Sequence, residues 1–328
     1  MSQVARPARR STAVNVALAL VAFALLAWTL YGNRVELRKV LNRPLDPGPI
    51  AVAFGIYMLG LVWTFYRWWT LVRALGLPFP FRDALRLGFI GNVFNLVIPG
   101  AVGGDLVKAA YLSREQSRKT LAISSMIVDR IVGLLGLFLL AAIAGAFAWN
   151  RPGTGPEVKR LIVLAWCAVG AGFVGLVVIF GQLVTRFFPN AGKREGKFSV
   201  VFNELKEMAA AYRGRLGVVG AAIVMSMGNH SLNVTAFYLM GRTLFPAGVP
   251  SLVDHFLMVP LTLFTTAAPL PFGSLGLSEQ VSERLFDLVK HPNGALAMLA
   301  FRVLMYGGGI VGAFVYLANA RQVRKLVD

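Results

Sequence analysis

Over most of this chain apolar residues run on without the one-sided spacing of a surface helix. That is the pattern of helices that meet hydrocarbon, or one another, on every face. Six runs reach or approach the ~20 residues that cross a bilayer: 14–31, 50–66, 122–149, 161–181, 218–240 and 295–318. Two more, 84–98 and 252–268, stop after 15 and 17 residues at proline and glycine. They are too short to cross and read as half-helices that enter the membrane and turn back, because irregular backbone at bilayer depth needs surrounding protein or a water-filled cavity. A different pattern occupies 182–215, where FSVVFNELKEMAAAYRGRL sets apolar residues at helical spacing against a charged face. It reads either as an amphipathic helix on the inner membrane surface or as a tether between halves. The expected fold is all-α and polytopic. It is a single integral membrane domain with about six full transmembrane helices plus two oppositely oriented re-entrant helical hairpins in an inverted repeat.

The repeat shows in order and spacing. The first half runs Arg73-Ala-Leu, Pro78, Pro80, Asp83, a short apolar helix, Pro99, Gly103-Gly104-Asp105, then a span bearing Arg130. The second runs Arg242-Thr-Leu, Pro246, Pro250, Asp254, a short apolar helix, Pro269, Pro271, Gly273, Gly276, Glu279, then a span bearing Arg302. Pro99 and Arg130 are 31 residues apart, as are Pro271 and Arg302. Repeat one is assigned to about 50–149, an amphipathic connector to 182–215 and repeat two to about 216–320. Oppositely oriented units that each carry a Pro/Gly-broken short helix point to a transport site near the bilayer midplane.

Composition and charge narrow the class. The 328 residues are 56 % apolar and 15 % charged, against about 25 % charged in soluble domains, which excludes an ordinary soluble fold. A net charge of +18 raises nucleic acid as a partner, but the cations lie in short loops between apolar runs. With the N-terminus in the cytoplasm, inner segments hold 21 Lys and Arg and outer segments 10, while Arg130 and Arg302 fall within spans. This predicts a cytoplasmic (inner) membrane protein with both termini inside and no nucleic-acid role. The four cations of 32–49 run against the trend. The basic N-terminal head followed by an apolar run has no small-x-small cleavage site, so an uncleaved first helix is expected. The lone Cys167 rules out an internal disulfide and a Cys-cluster metal site.

The candidate chemistry lies where charge meets the breaks. Arg130, in IVDRIVGLLGLF, is the strongest candidate, because a cation at bilayer depth costs at least about 2.5–3.5 kcal/mol without a partner or water. It reads either as a phosphate ligand, which its planar fork suits, or as an ion-pair partner of Asp105 or Glu279. Asp129 is adjacent, but i,i+1 side chains diverge, so each should find its partner on another element. Arg302 carries the same readings, with snorkelling to the outer interface or plain packing as alternatives. Glycines 103, 104, 273 and 276 precede Asp105 and Glu279 and are able to aim N–H groups at an anion. Asn92 and Asn95 either bind a headgroup or satisfy backbone freed at the break. GAVGGD is neither a Walker A loop nor a dinucleotide fingerprint. Asn229, His230 and Asn233 give the fifth span a polar face, read as cavity lining or as interhelical bonding. No paired carboxylates, catalytic triad order or HExxH supports an enzyme, and no cofactor or metal is expected.

RWWTLVRALG (67–76), NVFNLVIPGAVGGDLVKAAYL (92–112), ISSMIVDRIVGLLGL (123–137) and PLPFGSLGLSEQ (269–280) together resemble the lysylphosphatidylglycerol synthase transmembrane-region family, also known as YbhN-type integral membrane proteins. The likeness covers most of the chain. Many relatives have Glu where Asp129 stands, and their GGLG-like turn reads Gly273-Ser-Leu-Gly276 here. The resemblance implies movement of an aminoacylated phospholipid between leaflets, with a separate lipid-modifying synthase attaching the amino acid. Since no soluble domain follows Asp328, it implies the translocation half alone. Other members are associated with polyprenol-linked sugars or hopanoids, so the substrate stays open. The expectation is a flippase-like translocator of lipids with anionic headgroups. A membrane-embedded transferase acting on a lipid-linked sugar or amino acid, with Asp105 or Asp129 as base, is the alternative.

Overall fold

The computed structural model describes residues 9–98, 103–115, 119–181, 197–246, 248–268, 270–291 and 293–319. Among these no strand occurs, and twelve α-helices of eight residues or more build the molecule. They are α1 (Arg9–Gly32), α2 (Arg34–Leu41), α3 (Pro47–Ala74), α4 (Phe81–Val97), α5 (Gly103–Glu115), α6 (Lys119–Ala148), α7 (Pro156–Phe180), α8 (Lys197–Tyr212), α9 (Leu216–Leu244), α10 (Leu252–Phe264), α11 (Leu277–Asp287) and α12 (Gly294–Ala318). Five helical stretches are long and apolar enough to cross a membrane, and α1 joined to α2 makes a sixth. These are the six predicted runs. Large apolar side chains such as Leu164, Val174, Val224 and Phe314 stay exposed on their outer faces. A soluble monomer does not carry so much contiguous apolar surface, and the chain is a multi-pass membrane protein.

Local signals set several boundaries. Asp46 caps α3 by accepting the Gly48 N–H at 2.9 Å, with Pro47 at the first helical position. Ser251 caps α10 through the Asp254 N–H. Two boundaries depart from expectation. The segment 32–49 is not a plain loop, because α2 forms there at 75° to α1. Its sequence RVELRKVL pairs Glu36 with Lys39 at 2.6 Å and buries Val40, enough to hold about two turns of helix. The second span runs to Ala74, eight residues past its predicted end. Arg67 does not stop it, since its charge is matched inside the bundle by Asp129, and Trp68, Leu71 and Val72 are buried. Within 182–215, α8 packs on α6 and α7, and its Tyr212 hydroxyl donates to the Leu71 carbonyl at 3.1 Å. Residues 99–102 of the first break, Pro269 of the second, 182–196 of the connector and the termini at 1–8 and 320–328 lie outside the described residues.

Packing in the two halves corresponds. Helix α3 pairs with α9, the helix at the same place in the other half. The short helix α4 lies against α12, and the short helix α10 lies against α6, so each short helix crosses to the arginine-bearing span of the opposite half. In each half the short helix also packs on the helix after its break, α4 on α5 and α10 on α11. The two short helices start at opposite ends of the bundle. Phe79 and Phe81 sit beside Tyr66 and Trp69 near the end of α3, whereas Asp254 pairs with Arg151 just past the end of α6. The core gathers where α3, α9 and α12 meet, with Tyr57 edge-on to Phe301 and Phe237 against Phe301.

Candidate functional site

Helices α4 and α5, on either side of the first break, are held together by close packing and one amide. A Cβ on Gly104 would stand 2.3 Å from the Gly91 carbonyl oxygen, so only glycine lets α5 approach α4 this closely. Gly103 faces the Phe94 carbonyl in the same way. The Gly104 N–H donates to Asn95 Oδ1 at 2.7 Å. These glycines therefore serve helix contact, and the Gly104 amide is already used. Asn95 takes the backbone-satisfying role. Asn92 Nδ2 is buried with no partner.

In the first turn of α5, Asp105 accepts a hydrogen bond from Arg130 Nε of α6. Roughly two-fifths of the Arg130 side chain and a quarter of that of Asp105 are exposed. Asp129, the next residue along, diverges from Arg130 as i,i+1 geometry requires and accepts from Arg67 Nε of α3 at 2.9 Å in a nearly enclosed pair. Lys108, on the next turn of α5, is buried with its ammonium 4.6 Å from the Trp68 ring centroid. Asp105 and Asp129 attract it, while Arg67 and Arg130 repel it. The result is one cluster of five charges, three positive and two negative, drawn from α3, α5 and α6. Ser226 and His230 of α9 both reach the Gly133 carbonyl at 3.1 Å, one turn above Asp129. Asn229 and Asn233 lie against Gly60 of α3, so the polar face of the fifth span is interhelical.

The corresponding place in the second half is built differently. Phe272, Gly273 and Ser274 follow one another with φ of 57°, 65° and 56°, a left-handed turn that costs two non-glycine residues backbone strain. The turn aims carbonyls at Arg302, whose Nη1 donates to Phe272 O at 2.6 Å and Gly273 O at 3.1 Å. Arg302 Nε donates to Glu279 Oε1 at 2.6 Å, and Glu279 Oε2 accepts the Gly276 N–H at 2.6 Å, capping α11. Both side chains are essentially unexposed, at 2 % and 0 %. Gly276 has φ of 84°, and a Cβ there would strike Leu25 and the Ala22 carbonyl of α1. Arg302 does not snorkel outward; it is sealed in. Each predicted arginine thus finds the acid of its own half, and the two pairs differ in exposure.

Sequence reading placed Arg67 and Lys108 among loop cations, and both belong to the interior cluster. The available signal was spacing: Lys108 sits i+3 from Asp105, on the same helix face. Among the described residues no group of three His, Cys, Asp or Glu is placed to hold a metal. A groove of about 560 Å³ between α6 and α7, lined by Trp149, Trp166 and Cys167, carries no charged residue and is separate from the cluster.

The fold and these two centres define a polytopic helical membrane protein in which the helix after each break, α5 or α11, pairs its acid with an arginine of the following helix. The family model for the lysylphosphatidylglycerol synthase TM region matches residues 14–312, and the chain belongs to that family. No curated protein matches the chain significantly.

Proposed function

We propose that this protein is a flippase-like lipid translocator, with α4–α5 and α10–α11 as re-entrant hairpins of an inverted repeat. Its substrate is a phospholipid, an aminoacyl-phospholipid or a polyprenyl-phosphate-linked lipid. The observation that carries the reading is the exchange of short helices: each lies on the arginine-bearing span of the other half and starts from the opposite end of the bundle. Broken helices in opposed repeats are how alternating-access transporters place a site between two faces. Positive-inside bias sets the N- and C-termini in the cytoplasm and the protein in the cytoplasmic membrane. A separate synthase would supply a modified lipid.

Within this reading the half-exposed pair is the working one. Arg130 exchanges Asp105 for a headgroup phosphate, which its fork contacts bidentately. The exchange is inexpensive because an ion pair with this exposure contributes only about 0–1 kcal/mol. The sealed Arg302–Glu279 pair anchors the second hairpin instead of binding substrate. The test is loss of a one-leaflet fluorescent label from phosphatidylglycerol in proteoliposomes. Wild type accelerates the loss and Arg130→Ala abolishes the acceleration. Equal rates in wild-type and protein-free liposomes reject translocation, and a covalently altered lipid found by mass spectrometry points to a transferase.

A further inference from the structure

We propose that Lys108 is the centre of a buried phosphate-binding subsite beside the Arg130–Asp105 pair. Lys108 is 8 % exposed, and its stem lies in the α4–α5 cleft against Gly91. Among the described residues its ammonium has neither a hydrogen-bond acceptor nor a carboxylate at ion-pair distance; its one contact of note is the face of Trp68. Burying most of a lysine side chain is expensive, and a cation–π contact offsets only part of that cost. Two donors on the facing stretch of α3 are buried and unfilled: Nε1 of Trp68, the ring on which Lys108 rests, and Nη1 of Arg67, the adjacent residue. Among the described residues the five-charge cluster holds one cation in excess. Unfilled donors on Trp68 and Arg67, together with the excess positive charge beside them, call for an anion with several oxygen acceptors. A phosphate supplies these, and lysine serves it as a point charge.

The phosphate belongs either to a lipid headgroup or to a free phosphate ion. In the first case the subsite deepens the translocator reading, as the place where the headgroup rests after Arg130 captures it. Binding, however, is measured without transport. The full chain in neutral detergent is titrated calorimetrically with inorganic phosphate, with dioctanoylphosphatidylglycerol and with phosphate-free dioctanoylglycerol, at matched ionic strength. Wild type binds at least one phosphate probe and not dioctanoylglycerol. Lys108→Met weakens that binding about tenfold or more, the loss of a charge-assisted hydrogen bond. Lys108→Arg restores most of it. Trp68→Phe keeps the ring but loses the Nε1 donor, and weakens binding by a smaller factor. Arg302→Lys leaves it unchanged.

Removing a buried, unpaired charge leaves the melting temperature of Lys108→Met at or above that of wild type, which keeps the variant usable. Binding of phosphatidylglycerol, alone or with phosphate, assigns the subsite to a headgroup. Binding of inorganic phosphate alone assigns it to a free ion. Unchanged affinity in Lys108→Met, or no binding of either phosphate probe by wild type, overturns the proposal. If binding depends on Lys108 while wild type exchanges no lipid, the translocator reading fails and the subsite stands. If wild type exchanges lipid and Lys108→Met binds and exchanges as wild type does, the reverse holds.

Discussion

Replacing Glu279 with glutamine removes one charge from a pair of which nothing reaches the surface. The amide still accepts one hydrogen bond, so either the Gly276 N–H or Arg302 Nε loses its partner. Arg302 then stays buried at 1 % exposure with its charge uncompensated, although the Phe272 and Gly273 carbonyls still receive Nη1. Breaking one partner out of a buried pair costs about 3–5 kcal/mol, and the retained carbonyls place this case near 3. Asp105→Asn makes the same chemical change in the half-exposed pair of the first half, where water screens the released charge and the loss is about 0–1 kcal/mol. At about 2 °C per kcal/mol, Glu279→Gln should lower the melting temperature by roughly 6 °C and Asp105→Asn by about 2 °C or less. The assay is thermal unfolding of both purified variants in one detergent, with Glu279→Gln/Arg302→Met expected to recover most of the loss. Equal losses, or a loss below about 1 kcal/mol for Glu279→Gln, would refute the division into a sealed anchor and a working pair. A large loss for Asp105→Asn would put the open side of that pair in hydrocarbon instead of water.

Two further substitutions probe the frame around the site. Gly104→Ala sets a methyl 2.3 Å from the Gly91 carbonyl oxygen, so α5 must move; a destabilisation of about 1–3 kcal/mol is expected, with loss of the Asn95 contact, measured by the same melting assay. Arg43 donates to the Thr243 and Leu244 carbonyls at the end of α9, filling acceptors the helix leaves open and placing a cation at its negative end. Arg43→Met should cost about 1–2 kcal/mol and increase amide hydrogen exchange at 240–245, while leaving exchange at the start of α9 unchanged.

The helical class and the six long spans follow from composition and run length alone, because any twenty-residue apolar segment must satisfy its backbone internally, whatever it packs against. The paired order of Pro, Gly, acid and Arg marked Asp105, Arg130, Glu279 and Arg302 before any contact was known. Their partners, within a short choice, followed from the rule that neighbours on a helix diverge. Burial did not follow. Nothing in the two motifs distinguishes a pair sealed under a left-handed turn from one half open to its surroundings, since that depends on α1 lying over Gly276 and on how much of the Arg130 side chain the bundle leaves exposed. Arg67 and Lys108 looked like loop cations because hydropathy counts a charge as an end of a span. Only the assembled bundle, which brings α3, α5 and α6 together, shows that Arg67 is matched by Asp129 and that Lys108, among the described residues, is left over. Run length is a property of each segment, while charge balance is a property of the contacts between segments, and that division separates what the chain itself determined from what its tertiary structure decided.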